Sequence, residues 1–447
     1  YKRQASERPY QLILGVRSSI FLPFQNLGLV IVDEEHEQSY KQQEPAPRYH
    51  ARNAAIMLAQ MFGAKTLLGT ATPSFEVYHL SHKGQYGYVQ LTQRYRDMQL
   101  PTIEIVDTKE AKRKRQMKGV FSPRLIEVMR AALERKEQII LFQNRRGFSS
   151  FIECKTCGWV PRCPHCDVTL TLHKKTSTLT CHYCGYTTRI PERCPACEED
   201  KFTDIGTGTE KVEEQIAHLF EGITTLRMDL DTATTRTQFE RIISDFSEHK
   251  ADILIGTQMV TKGLDFDHVS VVGILDADTM LNLPDFRSYE RTFQTLSQVA
   301  GRAGRNNTAG HVILQTRSAE SDIIRQITQG DYWQMFYTQM TERQLFHYPP
   351  FRRLIYVYLR HKDDELLEHL ASDMAERLRQ IFGERVLGPD RPPIARLHSL
   401  YIRKIMLKIE RQTSTEKVRK NLIAIQQQML SLPVAKNLNI YYDVDPL

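Results

Sequence analysis

No run of eighteen or more apolar residues occurs anywhere in the 447-residue sequence, which excludes a hydrophobic membrane-spanning helix. The opening Tyr1-Lys2-Arg3-Gln4 has no apolar stretch of the kind a signal peptide needs. A soluble, cytoplasmic protein with no membrane partner is expected. No cysteine lies outside the stretch from Cys154 to Cys197, although eight are present, so a disulfide framework spread over the chain is excluded. There is no low-complexity tract, and no repeat beyond four C-x-x-C pairs. The sequence does not begin with Met, and it reads as part of a longer chain. What is present fits about three domains by length, and a net charge of +7 suits a polyanionic partner without requiring one.

Residues 27–32 form a continuous apolar run that ends in Asp33-Glu34-Glu35-His36, as when a buried parallel strand delivers carboxylates to a sheet edge. Residues 51–61 read as a helix and 65–68 as a second buried strand, followed by Gly69-Thr70-Ala71-Thr72-Pro73-Ser74. This alternation predicts an α/β fold. The basic run Lys112-Arg113-Lys114-Arg115 reads as a flexible connection with a boundary near it. A helix at 123–135 and a strand at 138–142 open a second α/β unit, which the cysteine block interrupts. A helix at 211–220 and strands at 252–255 and 269–275 resume the pattern, so the block is an insertion. The expected divisions are 1–107, 108–152, 153–200, 201–335 and 336–447, the last a small α+β domain of β-α-β-α-β order.

Asp33 and Glu34 have a use in nucleotide hydrolysis: one carboxylate holds Mg²⁺ through its water shell and the next orients the attacking water. Taken alone, an acidic strand end is more often a solvated turn. The string Gln298 to Arg305 spaces Arg302 and Arg305 three residues apart on one expected helical face, separated by small residues, which suits arginine fingers. Gly256 to Gly263, including Thr257 and Lys262, follows a buried strand and offers amides and hydroxyls to a phosphate, with a tight turn as the plainer alternative.

In order, DEEH, GTATPS, QNRRGFS, GTQMVTKG and QVAGRAGR resemble motifs II to VI of superfamily-2 helicases. GVRSSIFLPF ahead of the first, SYKQQE and RYHAR after it, and the placement of the cysteine block make the chain similar to the PriA family of bacterial replication-restart helicases over nearly its whole length. The resemblance implies two RecA-like lobes, the first truncated, with a Cys-rich two-zinc insertion in the second and an α+β C-terminal domain. It implies Mg²⁺ and water at Asp33 and Glu34, and nucleotide contacts at His36 and Gly263. Thr70 to Thr72 would couple the lobes, and Gln298, Arg302 and Arg305 would sense the γ-phosphate. Some members carry an aromatic residue after motif II; here Glu44-Pro45-Ala46-Pro47 leaves Tyr40, Tyr49 and His50 to meet DNA, along with Thr257 and Lys262. Packed surface aromatics remain the alternative.

The same resemblance implies ATP and Mg²⁺ as cofactors of the whole protein, and a bacterial, nucleoid-associated location. Its implied partners are branched and single-stranded DNA, single-stranded-DNA-binding protein, PriB, DnaT and the replicative helicase loader. The implied activity is 3′→5′ unwinding that remodels stalled or abandoned forks and initiates primosome assembly. One departure is the absence of any G-x-x-x-x-G-K-[ST] string, which the helicase scheme places upstream of motif II. The expectation is an upstream P-loop in the longer protein and no ATPase activity in this piece alone. A non-catalytic zinc-dependent scaffold, or another superfamily-2 translocase of the UvrB or RecG kind, are the competing readings.

Cys154/Cys157, Cys163/Cys166, Cys181/Cys184 and Cys194/Cys197 each let two thiolates of one turn face a tetrahedral Zn²⁺. Eight thiolates make two sites. Nested pairing is expected, with Cys163, Cys166, Cys181 and Cys184 around one metal and the outer four around the other; sequential and interleaved pairings remain open. In the last domain Arg396, His398, Arg403, Lys404, Lys408, Lys417, Arg419 and Lys420 offer charge to phosphates or an acidic peptide, or form a wet helix face.

Overall fold

The computed structural model describes residues 10–93, 101–143, 151–165, 168–173, 176–181, 184–204, 209–229, 232–233, 235–261, 266–304, 310–397 and 399–447. Leu29–Val32 and Lys65–Leu68 pair in parallel, Val32 opposite Leu68. The crossover is the helix Ala51–Phe62, which buries Ala51, Ala55 and Ala59 at a four-residue spacing that lines up one face. It stops at Gly63, whose φ of 65° suits glycine and whose amide returns to Ala59 and Gln60 carbonyls.

A second sheet has six parallel strands in the order Thr225–Met228, Ile253–Gly256, Gln138–Phe142, Val269–Ile274, His311–Thr316 and Thr102–Asp107. The central strands Ile253–Gly256, Gln138–Phe142 and Val269–Ile274 are buried throughout, as strands covered on both faces by helices must be. Two expectations are corrected here. Thr102–Asp107 belongs to this sheet and not to the preceding unit, because it pairs with His311–Thr316 and packs Ile103 and Ile105 on the sheet's core. The basic run is not one connection either: Lys112 and Arg113 close the helix Thr108–Arg113, capped by the Asp107 carboxylate, which accepts from the Lys109 amide at 2.7 Å, and Lys114 and Arg115 form the turn after it.

The cysteine block leaves and rejoins this unit at one point, where Ile152–Cys154 pairs antiparallel with Phe202–Asp204. Inside lies a meander of Thr171–His173, Thr178–Thr180 and Thr187–Arg189. The last unit is an antiparallel sheet, Val386–Asp390, Leu400–Glu410, Arg352–His361 and Asn439–Val444 in spatial order. The helices Asp364–Phe382 and Thr415–Leu430 cover one face. Leu354 and Met406 on the other face share a buried cluster with Val168, Leu170 and Leu179 of the cysteine block, so that block is clamped between two units. Among the described residues no helix is long and apolar enough to cross a membrane.

Candidate functional site

Parallel pairing of the first two strands brings the turn Asp33 to His36 beside Gly69 to Thr72. The Gly69 amide donates to Val32 O at 2.9 Å and the Glu35 amide to Gly69 O at 3.1 Å. Asp33 accepts the Glu34 amide on its own carboxylate at 3.0 Å, and both side chains are exposed at a cleft of about 520 Å³ shared with Arg17, Glu37 and Tyr40. Glu34 sits at φ 47°, a left-handed conformation that a residue with a side chain holds only under constraint from its surroundings. Glu35 points the other way. Fully buried, it takes Arg52 Nη1 at 2.6 Å, Ser74 Oγ at 2.9 Å and the Ser74 amide at 2.6 Å, and so bolts the turn to the end of the Gly69–Ser74 loop.

His36 joins the two units. Its Nδ1 lies 2.7 Å from Thr70 Oγ1 and 3.5 Å from the Glu34 carboxylate, and its Nε2 lies 3.2 Å from Gln298 Nε2. With the Gln298 amide nitrogen donating, Nε2 accepts and Nδ1 carries the proton toward Thr70. Thr70 Oγ1 also accepts the Thr72 amide at 3.0 Å. Three sequence-separated strings thus meet in one line. Gln298 lies on the helix Ser288–Ala300, but that helix ends before Arg302. The expected common helical face for the two arginines is therefore corrected: Arg302 stands in the turn beyond the cap at Gly301, its amide bonded to Val299 O. Arg305, Lys262, Gly263, Cys166 and residues 144–149 of the QNRRGFS string lie outside the described residues.

Those residues expected to meet DNA that lie among the described ones are held in place by hydrogen bonds and packing. The Tyr40 hydroxyl donates to Asp33 O at 2.7 Å, Tyr49 packs edge-on to Phe21 at 4.8 Å, and Thr257 opens a turn by accepting the Val260 amide on its carbonyl. Burial, with Arg52 and Lys41 nearby, lowers the His50 pKa to about 3, so this ring carries no charge for a phosphate at neutral pH. The loop bearing these residues rests on the last unit: Lys41 Nζ donates to Val444 O at 2.7 Å and pairs with Asp443 at 2.8 Å, and the Arg48 guanidinium covers the Tyr441 ring. Among the basic candidates of that unit, Arg403 is buried between Asp364 and Glu368, and Lys408 donates to Phe346 O over the Tyr348 ring. Sequence reasoning missed Glu76, Arg287, Glu290 and Arg343, which pair across units at 2.5 to 3.5 Å. Burial pushes the Glu76 carboxyl up, yet Arg287, Arg343 and Arg52 outweigh it and hold it at about 2. The one available signal was Glu290 on the apolar face of Phe293 and Leu296.

In the cysteine block the Sγ atoms of Cys154, Cys157, Cys194 and Cys197 all lie within 4.8 Å of one another, as do those of Cys163, Cys181 and Cys184. Cys154–Cys197, Cys157–Cys194 and Cys163–Cys184 are each 3.5 Å apart, far too long for a disulfide at about 2.05 Å. They are close to the edge of a ZnS₄ tetrahedron, about 3.8 Å for Zn–S bonds of about 2.3 Å. The thiols fit zinc.

A parallel α/β lobe carrying a Cys-rich ribbon fit for zinc as an insertion, followed by an α+β unit, is the architecture of a helicase-type protein. Family models agree in the same order: the PriA DNA helicase Cys-rich region domain over residues 163–189, the helicase conserved C-terminal domain over 201–307, and the primosomal protein N C-terminal domain over 344–447. The chain belongs to the PriA replication-restart family. It is 39% identical to replication restart protein PriA of Bacillus subtilis over 99% of this chain and 55% of that protein. To its Rickettsia conorii relative it is 36% identical, over 98% and 66% respectively. The chain thus spans between about half and two thirds of the length of these relatives. Among solved structures, RecG bound to a three-way DNA junction aligns with 76% of this chain and 33% of its own, at 14% identity and a TM-score of 0.39.

Proposed function

We propose that this chain forms part of an ATP-dependent 3′→5′ DNA helicase that recognises and remodels stalled replication forks and initiates primosome assembly. The observation that carries the reading is the Thr70–His36–Gln298 line, which ties the carboxylate turn to the second unit's helix at 2.7 and 3.2 Å. Asp33 holds the water shell of Mg²⁺, Glu34 orients the attacking water, and Arg302 with Arg305 balance charge developing on the γ-phosphate. Since the sequence contains no G-x-x-x-x-G-K-[ST] string, the phosphate cradle comes from elsewhere in the longer protein. Two Zn²⁺ in nested sets, Cys154/Cys157/Cys194/Cys197 and Cys163/Cys166/Cys181/Cys184, give the insertion its shape, a reading supported by the grouping of their sulfurs. Branched and single-stranded DNA are the substrates. Single-stranded-DNA-binding protein, PriB, DnaT and the helicase loader are partners on the family's pattern. The test is ATP turnover and strand separation by the full-length protein with and without forked DNA. Turnover that rises only with DNA, with unwinding from a 3′ tail, is expected; turnover indifferent to DNA refutes the reading.

A further inference from the structure

The helix Phe75–His82 follows the Gly69–Ser74 loop in sequence, yet its buried face belongs to the second unit. Phe75 is fully buried in the cluster that contains Phe142, Phe293, Leu296 and Met335. It lies edge-on to Tyr332 at 5.8 Å and Phe336 at 5.4 Å, both on the helix Tyr332–Leu345. Tyr78 meets the same two rings at 5.1 and 4.9 Å, and His82 meets Trp333 at 4.8 Å. Edge-to-face contacts at such distances fix ring orientation as well as separation.

The backbone of the loop is held from the same side. The Tyr332 hydroxyl donates to Pro73 O at 2.6 Å, Glu290 Oε1 accepts the Phe75 amide at 2.8 Å, and Gln294 Nε2 reaches the Thr72 and Pro73 carbonyls at 3.5 Å. Glu290 is fixed in turn by Arg343 at 2.5 Å, whose guanidinium covers the Phe75 ring. At its other end the loop is fastened to the first unit, through Gly69 to Val32 O and through Thr70 to His36. Only Ala71 and Thr72 separate the residue tied to His36 from the one tied to Tyr332.

We propose that Tyr332 is a positioning residue for hydrolysis. By holding the Pro73 carbonyl to the second unit, its hydroxyl makes a shift of that unit act on Thr70, on His36 and so on the Asp33-Glu34 turn. The activity arm of this proposal rests on the helicase reading above. Tyr332→Phe keeps the ring stack and removes only the hydroxyl, which takes from the half-buried Pro73 carbonyl its 2.6 Å bond and leaves it the longer one from Gln294 at 3.5 Å. Tyr337 lies on the same helix with its side chain exposed, so Tyr337→Phe is the control.

In the full-length protein, hydrogen exchange over residues 70–82 and the ratio of DNA-stimulated to unstimulated ATP turnover are measured for wild type and both variants. The ratio does not depend on how many molecules are active, so a merely structural loss leaves it alone. Faster exchange and a ratio lowered about fivefold in Tyr332→Phe, the size expected for one lost hydrogen bond, with Tyr337→Phe like wild type, support the proposal. A ratio within about twofold of wild type, or an equal fall in Tyr337→Phe, overturns it. A wild type without DNA stimulation refutes the helicase reading instead; exchange then decides, and unchanged exchange in Tyr332→Phe overturns the positioning role.

Discussion

Arg52 has Glu35 as its counter-ion and Ser74 as a further partner, all buried. Arg52→Ala leaves the Glu35 carboxylate buried without its cation, and a loss of about 3–5 kcal/mol is expected in denaturant unfolding, as for one partner removed from a buried pair. A loss under about 1 kcal/mol would mean that water reaches Glu35. His50 makes a pH-dependent prediction. Its pKa is lowered from 6.5 to about 3 by burial and by Arg52 and Lys41. Between those values the unfolded chain binds a proton that the folded one does not, so this contribution is intact above pH 6.5 and is lost as pH falls. From pH 7.5 to 5.5 wild type should lose about 1.4 kcal/mol more stability than His50→Gln. Equal pH slopes for the two proteins would place His50 in solvent.

The zinc insertion is an element that its own sulfurs define. Metal analysis should give two Zn²⁺ per chain, and chelation should unravel the meander of Thr171–His173, Thr178–Thr180 and Thr187–Arg189, whose core is small. A stoichiometry near one, or iron in place of zinc, contradicts the two-site assignment. The sequence made this block legible because C-x-x-C spacing is local chemistry. Gln138–Phe142 was legible with the same bounds and is buried throughout, as an apolar run between polar ends reads. Lys65–Leu68 keeps its bounds but alternates exposed and half-buried residues, and Leu29–Val32 buries only Val32, so the expected burial of these two strands is corrected, their sheet having only two strands. Thr102–Asp107 was not read as a strand, and the division at residue 107 left it in the wrong unit, because its partner, His311–Thr316, lies far along the chain and no local pattern says which sheet a strand joins. Arg403 looked like a phosphate contact for a similar reason. Its carboxylates, Asp364 and Glu368, come from a helix whose packing a strand's own sequence cannot reveal.

At the scale of the whole molecule, the units meet through polar contacts around one cleft: His36 with Gln298, Phe75 with Glu290, Pro73 with Tyr332 and Lys41 with Asp443. These polar contacts flank an apolar one, the packing of Phe75 and Tyr78 in the second unit's cluster, so a movement of that unit carries the helix Phe75–His82 with it. This chain by itself should bind ATP weakly in calorimetry, and micromolar affinity would place the phosphate cradle within it. The central proposal is that Asp33 and Glu34, with Arg302 and Arg305, hydrolyse ATP under the control of DNA in the full-length protein. The most direct measurement is DNA-stimulated ATP turnover of full-length protein carrying Arg302→Ala, or Arg305→Ala, taken together with DNA affinity and melting temperature. Turnover lower by about 10³-fold, with affinity and melting temperature held, is the predicted result; near-normal turnover at an unchanged melting temperature would contradict the account.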